Sequence, residues 1–139
     1  MSQKRNAQIF SKVGFLDKLL FTKHLSIMLK SGIAIAEAVE TLALQTKSNK
    51  FNEVLTEISK DIKNGQTMAR SLQKHSKIFD TFYVSLIQVG EQSGTLEESL
   101  NFLSNQQAKE YSLRKKIQGA LLYPTIVIVA IIIVGIGIS

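Results

Sequence analysis

Apolar side chains recur along most of this chain at the spacing of an α-helix. The clearest case is the segment Phe51–Lys63, where apolar residues fall at intervals of three and four: Phe51, Val54, Leu55, Ile58 and Ile62. Such spacing places them on one face of a helix, with polar residues opposite. The alternation of apolar and polar residues that marks a β-strand is not evident before residue 116.

Glycine and polar pairs divide the chain into helix-length segments. Ser31-Gly32 and Asn64-Gly65 have the composition of helix ends, and Thr95 to Glu98 has the spacing of an N-terminal capping box. The predicted helices are Phe15–Lys30, Ala34–Thr46, Phe51–Lys63, Thr67–His75, Asp80–Gln92 and a long helix from Thr95 toward Lys116. The sequence therefore predicts an all-α fold, an antiparallel six-helix bundle.

The last 23 residues, 117–139, carry no charge and are mostly apolar. As an α-helix, this run would reach about 34 Å, enough to cross a hydrocarbon core of about 30 Å. We expect it to be a first transmembrane segment of a longer natural protein, cut within the span. The alternative is that this run forms a central helix in the core of a large soluble protein.

Basic residues immediately before this run predict its orientation. Arg114, Lys115 and Lys116 form a topology anchor that would keep the preceding residues in the cytoplasm. Tyr123 and Pro124 lie near the start of the run and form a predicted membrane-entry hinge. Three regions result: a basic segment 1–14, a cytoplasmic helical domain 15–116 and the start of a transmembrane helix at 117–139.

Composition narrows the function classes. The chain has no cysteine, which excludes disulfides, thiol nucleophiles and thiolate metal sites. Its net charge of +6 is uneven: residues 1–30 carry six basic residues and one acidic residue, whereas 81–110 carry one basic and four acidic residues. The basic N-terminal segment suits anionic lipid or an acidic protein partner better than nucleic acid, and a merely solvated segment is equally consistent.

The most distinctive motif is Val89-Gly90-Glu91-Gln92-Ser93-Gly94-Thr95-Leu96. Gly94 can adopt positive φ at a helix end, and Gly90 would allow two backbones to approach closely. Glu91 would then be a carboxylate beside a tight turn. Two interpretations stay open: a well-made interhelical corner, or a partner- or ion-binding interface formed by Gly90, Glu91, Ser93 and Gly94.

Catalytic, cofactor and metal sites are not predicted. Glu91, Glu97 and Glu98 are a weak candidate for a divalent cation, but their spacing is not that of a calcium loop. Gly90 and Gly94 are not followed by the Lys-Ser/Thr pair of a phosphate-binding loop. A hydrolase or transferase would instead need a pocket that gathers Glu91 with a histidine, and His24 and His75 are predicted to face solvent.

Several motifs in this order resemble the type II secretion system F domain. They are Phe21–Ile33, Glu37-Ala38-Val39, Asn64-Gly65, His75–Phe79, Gly90–Leu96 and Ala120–Pro124. The resemblance covers residues 15–139, and it departs from the family at Ser76, where members often have proline. It implies an inner-membrane platform protein of a type II secretion or type IV pilus machine, with two copies of this cytoplasmic domain and about three spans.

The resemblance also implies the partners. Platform proteins have no enzymatic activity or cofactor of their own and are thought to couple a hexameric secretion or pilus assembly ATPase to movement of pilin-like subunits. Other inner-membrane assembly proteins, membrane lipids and a second copy, forming a homodimer, complete the expected partners. The alternative function is a tail-anchored cytosolic helical adaptor, in which residues 117–139 are a complete anchor.

Overall fold

The computed structural model describes residues 13–115, together with Gly135. Within them the fold is all-α, without a β-strand, which confirms the predicted class. Five helices have the following bounds: α1 Phe15–Lys30, α2 Ile35–Gln45, α3 Asn49–Lys63, α4 Met68–Gln73 and α5 Thr81–Ser93. A sixth, α6, is helical over residues 96–115.

Side-chain caps explain where three helices begin. The Ser48 hydroxyl accepts a hydrogen bond from the Phe51 amide at 3.1 Å, so α3 begins two residues before its predicted start. The Asp80 carboxylate accepts from the Tyr83 amide at 2.8 Å and precedes α5. Thr67 likewise precedes α4, and its hydroxyl accepts from the Arg70 amide at 3.2 Å.

The chain divides into two compact units, residues 1–106 and 107–139. In the first unit, α1 packs on α2, α2 on α3, and α4 packs on both α3 and α5. In the second unit, the described residues 107–115 are helical.

An aromatic cluster lies at the centre of the first unit. The rings of Phe21 and Phe51 meet edge to face with centroids 5.5 Å apart, and Phe79 packs on Tyr83 at 5.1 Å. Aliphatic side chains from α2 to α6 surround them; those fully buried include Val39, Leu55, Ile58, Met68, Leu72, Ile87 and Leu100. The core therefore draws on every helix of this unit.

One polar contact crosses this core. The hydroxyl groups of Thr22 and Tyr83 are 2.9 Å apart, and the Thr22 hydroxyl also donates to the Lys18 carbonyl at 2.8 Å. Burial raises the pKa of the Tyr83 phenol well above its ordinary value, so this side chain stays neutral. The contact links α1 to α5 beside the cluster.

Candidate functional site

The Gly90–Gly94 motif forms the corner between α5 and α6. Gly94 follows the last residue of α5 with φ +71°, in the left-handed region where other residues are strained. The amides of Gly94 and Thr95 both donate to the Gly90 carbonyl, the latter at 2.8 Å. These bonds close the end of α5 and set the direction in which α6 begins.

At Gly90, helices α5 and α6 approach each other closely. A Cβ atom at this position would lie 2.5 Å from the Ser99 hydroxyl oxygen and 2.9 Å from the Leu96 Cα. Leu96 presents backbone there, so it has little freedom to move away. A residue with a side chain does not fit at position 90 without shifting one of the helices.

Glu91 points away from that corner toward the start of α4. Its Oε2 accepts a hydrogen bond from the Met68 amide at 2.7 Å, and its Oε1 accepts from the Ala69 amide at 2.8 Å. Thr67 caps the next amide, that of Arg70. Since the first amides of a helix have no partner within it, this arrangement satisfies three donors at once and places a negative charge at the positive end of α4.

The opposite end of α4 is attached to α3. The Asp61 Oδ2 accepts from the Ser71 hydroxyl at 2.7 Å and from the Lys74 ammonium at 3.0 Å. These two hydrogen bonds, first that of Ser71, lower the pKa of the Asp61 carboxyl below its ordinary value. Beside them, the His75 Nε2 lies 3.1 Å from the Glu57 Oε2.

A polar surface cavity of about 260 Å³ opens between α4 and α5 next to Glu91, lined by Thr67, Ala69, Arg70, Gln73, Gln88, Glu91 and Gln92. No histidine lines it, so the cavity does not combine Glu91 with the base that a hydrolase would need. His24 is exposed on α1, as predicted, whereas the His75 side chain is only 16% exposed beside Glu57. The expectation of a solvent-facing residue was wrong for His75.

The other acidic residues of the motif region do not join Glu91. Glu98 is exposed and Glu97 is half-buried, while the Glu97 backbone carbonyl accepts a 3.3 Å hydrogen bond from the Ser26 hydroxyl of α1. Among residues 13–115, no three acidic or histidine side chains are grouped in a way that could hold a metal ion. Ser93, the remaining member of the predicted corner, is exposed at the end of α5.

The predicted membrane-side residues are only partly within the described range. The Arg114 guanidinium lies 3.0 Å from the Glu110 carboxylate, and the Lys115 ammonium lies 4.9 Å from the centre of the Tyr111 ring. Lys116, Tyr123 and Pro124, and the predicted span 117–139 apart from Gly135, lie outside it. In the part of the chain that is described, no helix combines the length and apolarity needed to span a bilayer.

Two residues that matter at this site were not singled out from the sequence. Thr67 follows Asn64-Gly65, and a threonine after a turn is a local signal that could have identified it as a cap. Asp61 gives no such signal, because its partners Ser71 and Lys74 are 10 and 13 residues away, one in α4 and the other directly after it. Only the packing of α4 on α3 brings them together.

An all-α domain with this motif corner matches an established family. Residues 21–139 match the family described as "Type II secretion system (T2SS), protein F", and the chain belongs to this family. The resemblance identified from the sequence motifs is thereby confirmed.

Named relatives come from both pilus assembly and secretion. The chain is 39% identical to the type IV pilus assembly protein PilC of Thermus thermophilus over 116 residues, 84% of this chain and 28% of that protein. It is 35% identical to PilC of Myxococcus xanthus over 130 residues, covering 94% and 30%. It is 27% identical to the type II secretion system protein F of Vibrio cholerae over 113 residues, covering 81% and 28%.

The chain thus spans about three tenths of the length of these relatives. Their names are those of assembly and secretion components, so family membership confirms the prediction of a non-enzymatic protein and supports association with a membrane.

Proposed function

We propose that this chain is part of a non-enzymatic inner-membrane platform protein that couples a cytoplasmic assembly ATPase to the movement of pilin or pseudopilin subunits. The observation that carries this proposal is the family match, which extends over residues 21–139 and is shared with pilus assembly and secretion proteins. The machine it serves is a type II secretion system or a type IV pilus.

The corner supports a mechanical role. Gly90 and Gly94 fix the angle between α5 and α6, and both carboxylate oxygens of Glu91 are used in holding α4. A domain whose helix ends are closed in this way transmits displacement instead of absorbing it. In this proposal the helices form an antiparallel bundle on the cytoplasmic side, and the exposed Ser93 lies in the surface that meets a partner.

The membrane side of the proposal rests on the sequence. Arg114, Lys115 and Lys116 precede the uncharged run 117–139, which would enter the inner membrane at Tyr123 and Pro124. Pilin-like subunits, other inner-membrane assembly proteins and a second copy of the chain would meet the platform there. No nucleic acid is involved.

Co-purification tests the coupling. The full-length gene product, extracted from membranes in detergent, is expected to retain the assembly ATPase of its own machine, to a degree that differs between ATP and ADP. Failure to retain the ATPase with either nucleotide contradicts the coupling role.

A matched pair of variants tests the corner as the contact surface. Ser93 ends α5 and Ser31 follows the end of α1; both are exposed. We expect Ser93→Arg to weaken ATPase retention about tenfold, equivalent to about 1.4 kcal/mol, because a new charge must be desolvated at a contact. Ser31→Arg should retain it; equal retention by both variants would place the contact elsewhere.

A further inference from the structure

The short helix α4 is attached at its two ends to two different helices. Its first two amides donate to Glu91 of α5, while Ser71 and Lys74 near its last turn donate to Asp61 of α3. We infer that α4 is a strut that carries load between α3 and α5, and that Glu91 is the positioning residue that ties it to α5. This inference rests on the proposed function and names the path that a displacement takes through the domain.

The length of α4 makes these ties necessary. A helix of six residues has one hydrogen-bonded turn and a half, too little to be stable by itself in water. Three of its first amides are capped by side chains, and two of these three caps come from Glu91, more than 20 residues further along the chain. The direction of the first turn of α4 therefore depends on the position of α5.

Packing prevents α4 from moving independently of its neighbours. Met68 and Leu72 are fully buried, and Ala69 is nearly so. These side chains fill the space between the helices on which α4 packs. Removal of α4 from its site would expose all three to water, so a displacement of α5 moves α4 with it instead of separating the two.

The charges of Glu91 and Lys74, at the two ends of α4, both complement the dipole of this helix. The Glu91 carboxylate lies at the positive end of α4, and the cation Lys74 lies at its negative end, where it pairs with Asp61. Hydrogen bonds to ionised groups are stronger and shorter than neutral ones, and those at both ends are 2.7–3.0 Å long. A tie of this kind is directional, whereas apolar packing alone permits sliding.

The test compares two caps of the same helix. Glu91→Gln leaves one acceptor oxygen and no charge, so we expect amide hydrogen exchange at Met68 and Ala69 to become at least about tenfold faster. Thr67→Ala removes the cap of Arg70 from within α4's own segment and leaves the α5 tie in place. It should accelerate exchange at Arg70 alone, and it should lower Tm by about as much as Glu91→Gln does.

The second readout is assembly or secretion in cells that carry the full-length gene. Each substitution is introduced into it, and pilus assembly or secretion is measured together with Tm. We expect Glu91→Gln to abolish or strongly reduce assembly while Thr67→Ala retains it, although the two lose comparable Tm. Glu91→Asp, which keeps the charge on a shorter side chain, replaces Glu91→Gln if the latter does not fold.

Three results would overturn the strut. The first is unchanged amide exchange at Met68 and Ala69 in Glu91→Gln. The second is a loss of assembly in both variants that follows their loss of Tm alone. The third is normal assembly in Glu91→Gln in a system where deletion of the gene abolishes assembly. Normal assembly after deletion of the gene overturns the proposed function itself, and the strut with it.

Discussion

At the scale of single residues, two sets of polar contacts connect different helices of the first unit. Glu91 accepts two backbone amides, and the hydroxyl groups of Thr22 and Tyr83 pair inside the core. Removing the acceptor of such a contact lowers the free energy of unfolding, since a buried donor left without an acceptor costs about 1–3 kcal/mol. At Gly90 the constraint is steric instead, because a side chain there would collide with α6.

We expect Gly90→Ala to destabilise the first unit by about 1–3 kcal/mol, the usual cost of inserting a methyl group into a well-packed site. The new Cβ would meet the Leu96 backbone at 2.9 Å, so α6 has to shift. Chemical denaturation monitored by circular dichroism measures the loss.

Two further variants make this prediction specific. Ser93→Ala, at an exposed position of the same corner, should change the free energy of unfolding by less than about 0.5 kcal/mol. Adding Ser99→Ala to Gly90→Ala should recover only part of the loss, because the Leu96 contact persists. A gain in stability as large as the helix-propensity difference between Ala and Gly, about 1 kcal/mol, contradicts the close approach.

The sequence predicts some of these residue roles and not others. Gly90 and Gly94 were predictable because a left-handed turn and a close helix crossing both require a residue without a side chain. The motif also pointed to Glu91 as a carboxylate beside a tight turn. It could not identify the amides that Glu91 accepts from, since Met68 and Ala69 lie on another helix and only tertiary packing brings them within 2.8 Å.

At the scale of elements, the helices follow from apolar spacing, whereas their exact ends depend on local hydrogen bonds. The third helix was predicted to begin at Phe51, but α3 already begins at Asn49 because Ser48 caps it. The helix predicted over Thr67–His75 ends at Gln73, and the next residues form turns. Periodicity identifies a helix over several turns, while a single cap moves its boundary by one or two residues.

The contact between α3 and α4 should depend on pH through Asp61. Its pKa is lowered in the folded chain, so its stabilising contribution is present above the unfolded value of about 3.9 and is lost as pH falls through the lower, folded value. We expect Asp61→Asn to cost about 1–2 kcal/mol at pH 7 and progressively less below pH 4. Thermal melts from pH 7 down to pH 2.5 measure this difference.

Glu40→Gln is the matched control for this pH dependence. Glu40 pairs with Lys63 at 2.6 Å between α2 and α3, but both side chains are about half exposed. A pair so exposed to solvent contributes about 0–1 kcal/mol. A difference between Asp61→Asn and the unaltered chain that stays constant down to pH 2.5 would contradict the assigned role of Asp61.

At the scale of the whole molecule, the first unit leaves several large apolar side chains at its surface. Phe82 and Val89 lie seven residues apart on α5 and are 58% and 54% exposed, and Phe102 of α6 is 46% exposed. The apolar pattern correctly predicted an all-α fold, because the buried positions repeat at helical spacing. It could not separate Phe82 from the neighbouring Tyr83, which is buried, because both are aromatic residues in one helix.

Membrane orientation is the property of the whole molecule that the basic triplet is proposed to control. Arg114 and Lys115 interact with residues one turn earlier, Glu110 and Tyr111, and precede the run 117–139 in the sequence. Transfer of Arg114, Lys115 and Lys116 to the far side of the run 117–139 should therefore invert or mix the orientation. Reporter fusions that are active on only one side of the membrane, placed before residue 13 and after residue 139, measure it.

A second variant neutralises the triplet in place, and its control removes the same amount of charge elsewhere. Neutralising Lys47, Lys50 and Lys60, which are exposed in the first unit, removes the same charge as neutralising the triplet. Cations act on orientation only within about 15–20 residues of a span, so this control should leave the reporter pattern unchanged while neutralisation of the triplet weakens it. An identical pattern in all variants would mean that orientation is determined by other parts of the protein.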